Sequence, residues 1–174
     1  MAKHKEEKTN VMRLLEQRRI PYTPHTYPHG AQAPDGVSVA RSLGQDPAAV
    51  FKTLVTCGAS GGYYVFDIPV ADTLDLKKAA RAVGEKRVEM LPSRQLLPLT
   101  GYVHGGCSPV GMKKPFPTVF HRTCLEQEHI FVSAGKVGVQ VEVSPQALLE
   151  LVGAGVDDLV VSIGQKGEDN HEVY

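Results

Sequence analysis

The first helical pattern along the chain is Val11, Leu14 and Leu15, apolar positions that share one face at 3.6-residue spacing. Thr9 or Asn10 can cap this helix, it ends near Arg19, and Pro21 stops it. Residues 22–27 read as extended, with Tyr22 and Tyr27 on opposite faces by parity. A loop over 29–35 leads to a short helix over 37–43, closed by Gly44, and Asp46-Pro47 opens a further turn. Residues 50–57 are a near-continuous apolar run and predict a strand. Residues 58–62 predict a turn and 63–70 the return strand of an antiparallel hairpin. Asp75 then caps a helix with Leu76, Ala79, Ala80 and Val83 on one face and Gly84 at its end.

Shorter elements follow. Residues 87–90 predict a strand, 92–97 a helix, 101–104 a strand-like segment and 118–120 a strand. Residues 129–133 and 137–143 predict a second hairpin around Ala134-Gly135-Lys136. Ser144-Pro145 caps a last helix over 146–152, ended by Gly153, and residues 159–163 predict a final strand. Hairpins and helices alternate without a β-α-β-α rhythm. That predicts a mixed α/β class with a mostly antiparallel sheet and helices packed on it. One domain over 9–163 is expected, between polar tails at 1–8 and 164–174.

Charge adds little to this picture. Nineteen basic and nineteen acidic residues give a formal net charge of zero, so bulk charge announces neither a nucleic acid nor a membrane as partner. Lys77-Lys78 and Lys113-Lys114 remain candidate local basic patches. The three cysteines, Cys57, Cys107 and Cys124, have no C-x-x-C spacing, which fits a reducing cytoplasm rather than a disulfide framework or a zinc ribbon. The first nine residues lack an apolar signal region, and no run approaches the ~18 apolar residues that span a bilayer. Rossmann and P-loop fingerprints and H-E-x-x-H are absent. His25 and His29 are four apart in an extended, proline-rich stretch, so metal-ligand spacing is not met and no metal or other cofactor is expected.

Two features carry candidate chemistry. The loop Gly105-Gly106-Cys107-Ser108-Pro109-Val110-Gly111 is too rich in glycine for an ordinary helix or central strand. It is either a plain tight turn or a cradle for an acyl carbonyl or a phosphate ester. Lys52 stands in the otherwise apolar Val50-Phe51-Lys52-Thr53-Leu54-Val55. It is either an edge-strand lysine that limits aggregation, or an ammonium placed to bind an anion or polarise a carbonyl. Cys107 is the obvious nucleophile in the loop, but a thiolate needs a base, and a buried packing role is the favoured reading. Asp67 lies near Lys52 in the hairpin register and either pairs with it or faces solvent. Ser133-Ala134-Gly135-Lys136 puts a hydroxyl and an ammonium at a hairpin tip.

Taken together, several segments resemble the YbaK-type aminoacyl-tRNA deacylases of the prolyl-tRNA-synthetase editing-domain superfamily, and within it the free-standing Cys-tRNA(Pro) deacylases. The matching segments are Val50-Phe51-Lys52-Thr53-Leu54, residues 74–80, 84–90 and 99–102, the loop 105–114, and Val132-Ser133-Ala134-Gly135-Lys136. They run in family order over roughly residues 10–160. The resemblance implies one curled mixed sheet flanked by helices, with a pocket between sheet and loops. It implies that Lys52 is the signature functional residue, that Gly105 through Pro109 form the family loop, and that Ser133 and Tyr27 belong to the site. The catalytic set expected is Lys52, Gly105 and Gly106, and the substrate-binding set is Tyr27, Thr53, Cys107, Ser108, Pro109 and Ser133. Gln140 stands where some relatives carry an acid.

The implied reaction is hydrolysis of the ester joining a misattached amino acid to the terminal ribose of tRNA(Pro). Cysteine and proline are near in size, and binding alone rejects a near-isostere by little more than ~100-fold, so a second hydrolytic site is needed. Backbone amides of Gly105 and Gly106 are expected to polarise the carbonyl, each worth about 3 kcal/mol of barrier. Lys52 is expected to hold the ribose or phosphate, and the substrate thiol to attack its own carbonyl. A monomer recruited by prolyl-tRNA synthetase is the expected working form. The alternatives are a deacylase for another small residue such as alanine, a catalytically silent module that binds aminoacyl-tRNA or a synthetase, and a Cys107 hydrolase.

Overall fold

Side-chain caps set most of the helix starts. Thr9 accepts the Met12 amide ahead of α1 (Asn10–Gln17), and Asp35 the Ser38 amide ahead of α2 (Gly36–Ser42). Asp75 accepts two amides ahead of α3 (Leu76–Val83). The next helix, α4 (Ser93–Thr100), follows Pro92 without such a cap, and Ser144 caps α5 (Pro145–Val152). Each bond satisfies a first-turn amide that has no partner inside its helix. The computed structural model that shows these elements describes residues 7–162.

The strands form two sheets. In the smaller, β1 (Tyr22–Thr26), β7 (Val139–Val143) and β6 (Ile130–Ser133) lie antiparallel in that order. Pro24 is tolerated because β1 is an edge. The larger has the order β4-β2-β3-β5-β8, built on the hairpin of β2 (Phe51–Gly58) and β3 (Tyr63–Pro69). β4 (Val88–Met90) adds antiparallel to β2; β5 (Thr118–His121) and β8 (Gly155–Asp157) add in parallel beyond β3. The mixed α/β class with mostly antiparallel pairing stands, but the expected single curled sheet is divided. A parallel bridge between Val50 and Phe131 joins its two parts.

Both faces of the β2–β3 hairpin are buried, which accounts for its near-continuous apolar run. Phe51, Val55 and Val65 pack with Val11 and Leu15 of α1, Leu96 of α4, Leu148 of α5 and Val132 and Val141 of the smaller sheet. Leu54, Phe66 and Ile68 face the other way, under Ala79 and Ala80 of α3. Each such side chain contributes ~1.5–3 kcal/mol on full burial. A third, small cluster of Ala40, Val50 and Val70 seats α2 over the start of β2.

Three element expectations need correction. The helix over 92–97 runs on to Thr100, through Pro98. Proline costs it only the bond to the Arg94 carbonyl, and Arg94 is exposed. Residues 101–104 are not a strand. Gly101 closes α4 at φ +87°, Tyr102 donates its hydroxyl to the Val110 carbonyl, and the Lys113 amide returns to the Thr100 carbonyl at 3.1 Å. The segment is thus folded back on its own loop. The final strand lies earlier than expected, at Gly155–Asp157, where an exposed, polar sequence gives no alternation to read. Leu159 is buried instead in the cluster under α3, Val160 makes a single bridge to Leu74, and Ile163 lies outside the described residues. The expected tails fall mostly outside the described residues; Lys8 is within them and pairs with Glu16 at 2.6 Å.

Candidate active site

A cavity of about 230 Å³ lies where the start of β2, the end of β6, the Gly105 loop and the segment leading into α2 converge. Tyr27, Lys52, Thr53, Gly105, Cys107 and Ser133 all line it, although they come from four separate places in the chain. Gly106 and Ser108 lie just behind this wall, both buried. Ser108 Oγ accepts the Val110 amide at 3.2 Å and so shapes the loop. Pro109 lines a different cleft, shared with Leu14 of α1 and Leu151 of α5.

The loop can reach this position only because of its glycines. Gly105 has φ +81°, and a Cβ there would stand 2.3 Å from the Ala33 Cβ. At Gly106 a Cβ would meet the backbone of Lys136 and Val137 at 3.0 Å, so the loop lies directly against the β6–β7 turn. The Gly106 amide donates to the Val103 carbonyl at 3.0 Å. That bond occupies the Gly106 amide, while Gly105 lies on the cavity wall.

Lys52 is half-buried, and its Nζ donates to the Val70 carbonyl at 3.2 Å. Burial pulls its pKa down to about 8, partly opposed by the carboxylate of Asp72. It does not pair with Asp67: the register sets Lys52 opposite Ile68 and Thr53 opposite Asp67. Nor does Asp67 face solvent. It is fully buried, accepts the Thr53 hydroxyl at 2.5 Å through Oδ1, and is pushed up to about 8 by burial. Cys107 is 4% exposed, and burial, reinforced by the neighbouring Asp67 carboxyl, drives its thiol far above the ordinary range. A thiol so held is a poor nucleophile and a good packing group.

One part of the wall, the turn into α2, was not read as a site from the sequence. The turn into α2 supplies Ala33, Pro34 and Gly36, and Asp35 at the rim spends its carboxylate on the Ser38 amide and hydroxyl. The Asp35-Gly36 pair ahead of Val37 was the available signal, as a helix start rather than as a site. Gln140 reaches the cavity from β7 and accepts a hydrogen bond from Gln45 Nε2 at 2.9 Å, so a neutral amide fills that place. Ser133 accepts the Gly135 amide at 3.1 Å and holds the hairpin tip in shape. Among the described residues no group of three or more His, Cys, Asp or Glu is arranged to hold a metal ion, and no helix is long and apolar enough to cross a membrane.

Comparison with known proteins adds to this geometry. The family model for the aminoacyl-tRNA editing domain matches residues 31–151, a span that contains every wall of the cavity except Tyr27. A protein of Enterococcus faecalis (strain ATCC 700802 / V583) named "Putative Cys-tRNA(Pro)/Cys-tRNA(Cys) deacylase EbsC" is 47% identical over 152 residues, 87% of this chain and 93% of its own length. Among solved structures, one titled as a "putative trans-editing enzyme for prolyl tRNA synthetase" superposes with a TM-score of 0.75 at 28% identity, covering 87% of this chain and 95% of its own. The hypothetical protein APE2540 superposes at 0.78 with 26% identity, covering 89% and 100%. The family match, the close relative and the shared architecture agree with the resemblance carried by the Lys52 strand and the glycine loop, and the chain belongs to the aminoacyl-tRNA editing domain family.

Proposed function

We propose that this protein deacylates mischarged Cys-tRNA(Pro), freeing cysteine from the terminal ribose. The observation that carries the reading is the cavity itself. It is small, and it brings the half-buried Lys52 together with a glycine loop and the Ser133 hydroxyl. The relative named as a Cys-tRNA(Pro)/Cys-tRNA(Cys) deacylase supports the same substrate.

Below a pKa of about 8 Lys52 is an ammonium, suited to hold the ribose or the adjoining phosphate beside the ester. Gly105 is the candidate backbone donor to the ester carbonyl, a contact typically worth about 3 kcal/mol of barrier. The nucleophile is the substrate's own thiol. Its sulfur bonds to the acyl carbon, the ester C–O bond breaks, and the thiol proton passes to the ribose oxygen. The departing thiolactone is then hydrolysed by water. Cys107 takes no part in this sequence, in keeping with its burial and its raised pKa.

Release of labelled amino acid from Cys-, Ala- and Pro-tRNA(Pro) tests the reading. Rapid loss of cysteine alone is expected, abolished by Lys52→Ala with little change in melting temperature. Cys107→Ala should keep most of the activity. A stable Cys107→Ala variant without turnover would remove the substrate-thiol mechanism and restore a protein nucleophile.

A further inference from the structure

Beneath the cavity floor lies a polar pair that the mechanism above does not use. Thr53 lines the cavity at 1% exposure, and its hydroxyl donates to Oδ1 of Asp67, directly opposite on β3. Asp67 is itself fully buried, and its Oδ2 has no hydrogen-bond partner among the described residues. Among the described residues, burial and the Thr53 hydroxyl set its environment, and its carboxyl in turn bears on the buried Cys107 and Cys124. The same face of the hairpin is otherwise apolar, with Phe51, Val55 and Val65 in one cluster. Stability does not account for the pair, because an apolar pair of matching shape would avoid burying an orphan oxygen. Thr53 lines the cavity assigned to the ester, which points to a role for the pair in selection.

A hydroxyl that spends its single proton on one acceptor has only lone pairs left to offer. We propose that Asp67 is a positioning residue for acyl-group selection: by taking the Thr53 proton it makes Thr53 a hydrogen-bond acceptor at the cavity floor, which favours an acyl side chain that carries a donor, a thiol or hydroxyl, over a methyl group of similar size. The proposal rests on the deacylase reading and names what sets its specificity. Asp67 contacts the substrate only through Thr53. A neutral side chain with an acceptor oxygen in the same place does the same work.

The test is the ratio of kcat/KM for Cys-tRNA(Pro) over Ala-tRNA(Pro), read beside thermal melts. Asp67→Asn keeps an acceptor for Thr53 and should hold the ratio within a few-fold of wild type. Asp67→Ala and Thr53→Val should each lower it about tenfold, the weight of one ordinary hydrogen bond. The double variant should fall no further than the worse single one, because both remove the same contact. Stable Asp67→Ala with an unchanged ratio, or additive losses in the double variant, overturns the proposal. Where Asp67→Ala does not fold, Thr53→Val decides: a wild-type ratio in that variant overturns it. Failure of the wild-type protein to hydrolyse any of these substrates would instead strike at the deacylase reading.

Discussion

Burial keeps the Asp67 carboxyl protonated up to about pH 8, well above the ordinary value of 3.8. Across that window the folded chain holds a proton that the unfolded chain has released. Stability from this group is therefore full below pH 3.8 and is lost progressively as pH rises toward 8. Asp67→Asn cannot titrate. Its melting temperature relative to wild type should therefore climb steadily between pH 4 and pH 8, even if the buried amide costs something at every pH. A pH-independent offset between the two melting curves would show that the carboxyl is not held neutral. Lys52 does not confuse the comparison. Its depressed pKa of about 8 acts only above that pH and with the opposite sign, since there the unfolded chain binds the extra proton. At this scale the sequence marked Lys52 well, as an ammonium in an apolar strand. It could not place Asp67, because one residue of register decides whether the carboxyl meets Lys52 or Thr53.

The docking of the glycine loop on the β6–β7 turn is the element-level feature that closes the cavity. Gly105→Ala imposes a left-handed conformation on a residue with a Cβ, a strain of ~1–3 kcal/mol, and drives that Cβ into Ala33. Gly101 has a similar φ of +87°, but a Cβ there meets only the Lys113 side chain, at 3.4 Å. Gly105→Ala should therefore lower the melting temperature more than Gly101→Ala and cut deacylation sharply, while Gly101→Ala stays active. Equal effects from the two would argue against tight docking of the loop. Both hairpins, the caps of α1, α3 and α5 and the Gly84 and Gly153 ends were legible, since each has a local chemical cause. The parallel additions of β5 and β8 were not, because pairing across the chain leaves no local mark on an exposed strand such as Gly155–Asp157. Pro98 misled for a related reason: a proline late in a helix removes a single bond that an exposed turn can spare.

At the level of the whole molecule, equal numbers of acidic and basic residues set a limit on how the substrate is held. Affinity for a nucleic acid comes largely from cations that displace condensed counterions, and a chain of zero net charge has no excess of them. Among the described residues Lys52 is the one lysine or arginine in the cavity wall, enough to orient an ester but not to retain a tRNA. We infer that residence on the substrate is supplied by prolyl-tRNA synthetase, which would hold the mischarged end nearby at an effective concentration in the millimolar range. Binding of free tRNA(Pro), measured by fluorescence anisotropy at physiological salt, should then be micromolar or weaker and should fall further as salt is raised. Adding the synthetase should lower the concentration of this protein needed for half-maximal deacylation without changing the rate at saturation. Tight, salt-insensitive binding of free tRNA would point the other way. Recognition would then lie in shape and base contacts outside the cavity, and the synthetase would have no part in delivering the substrate.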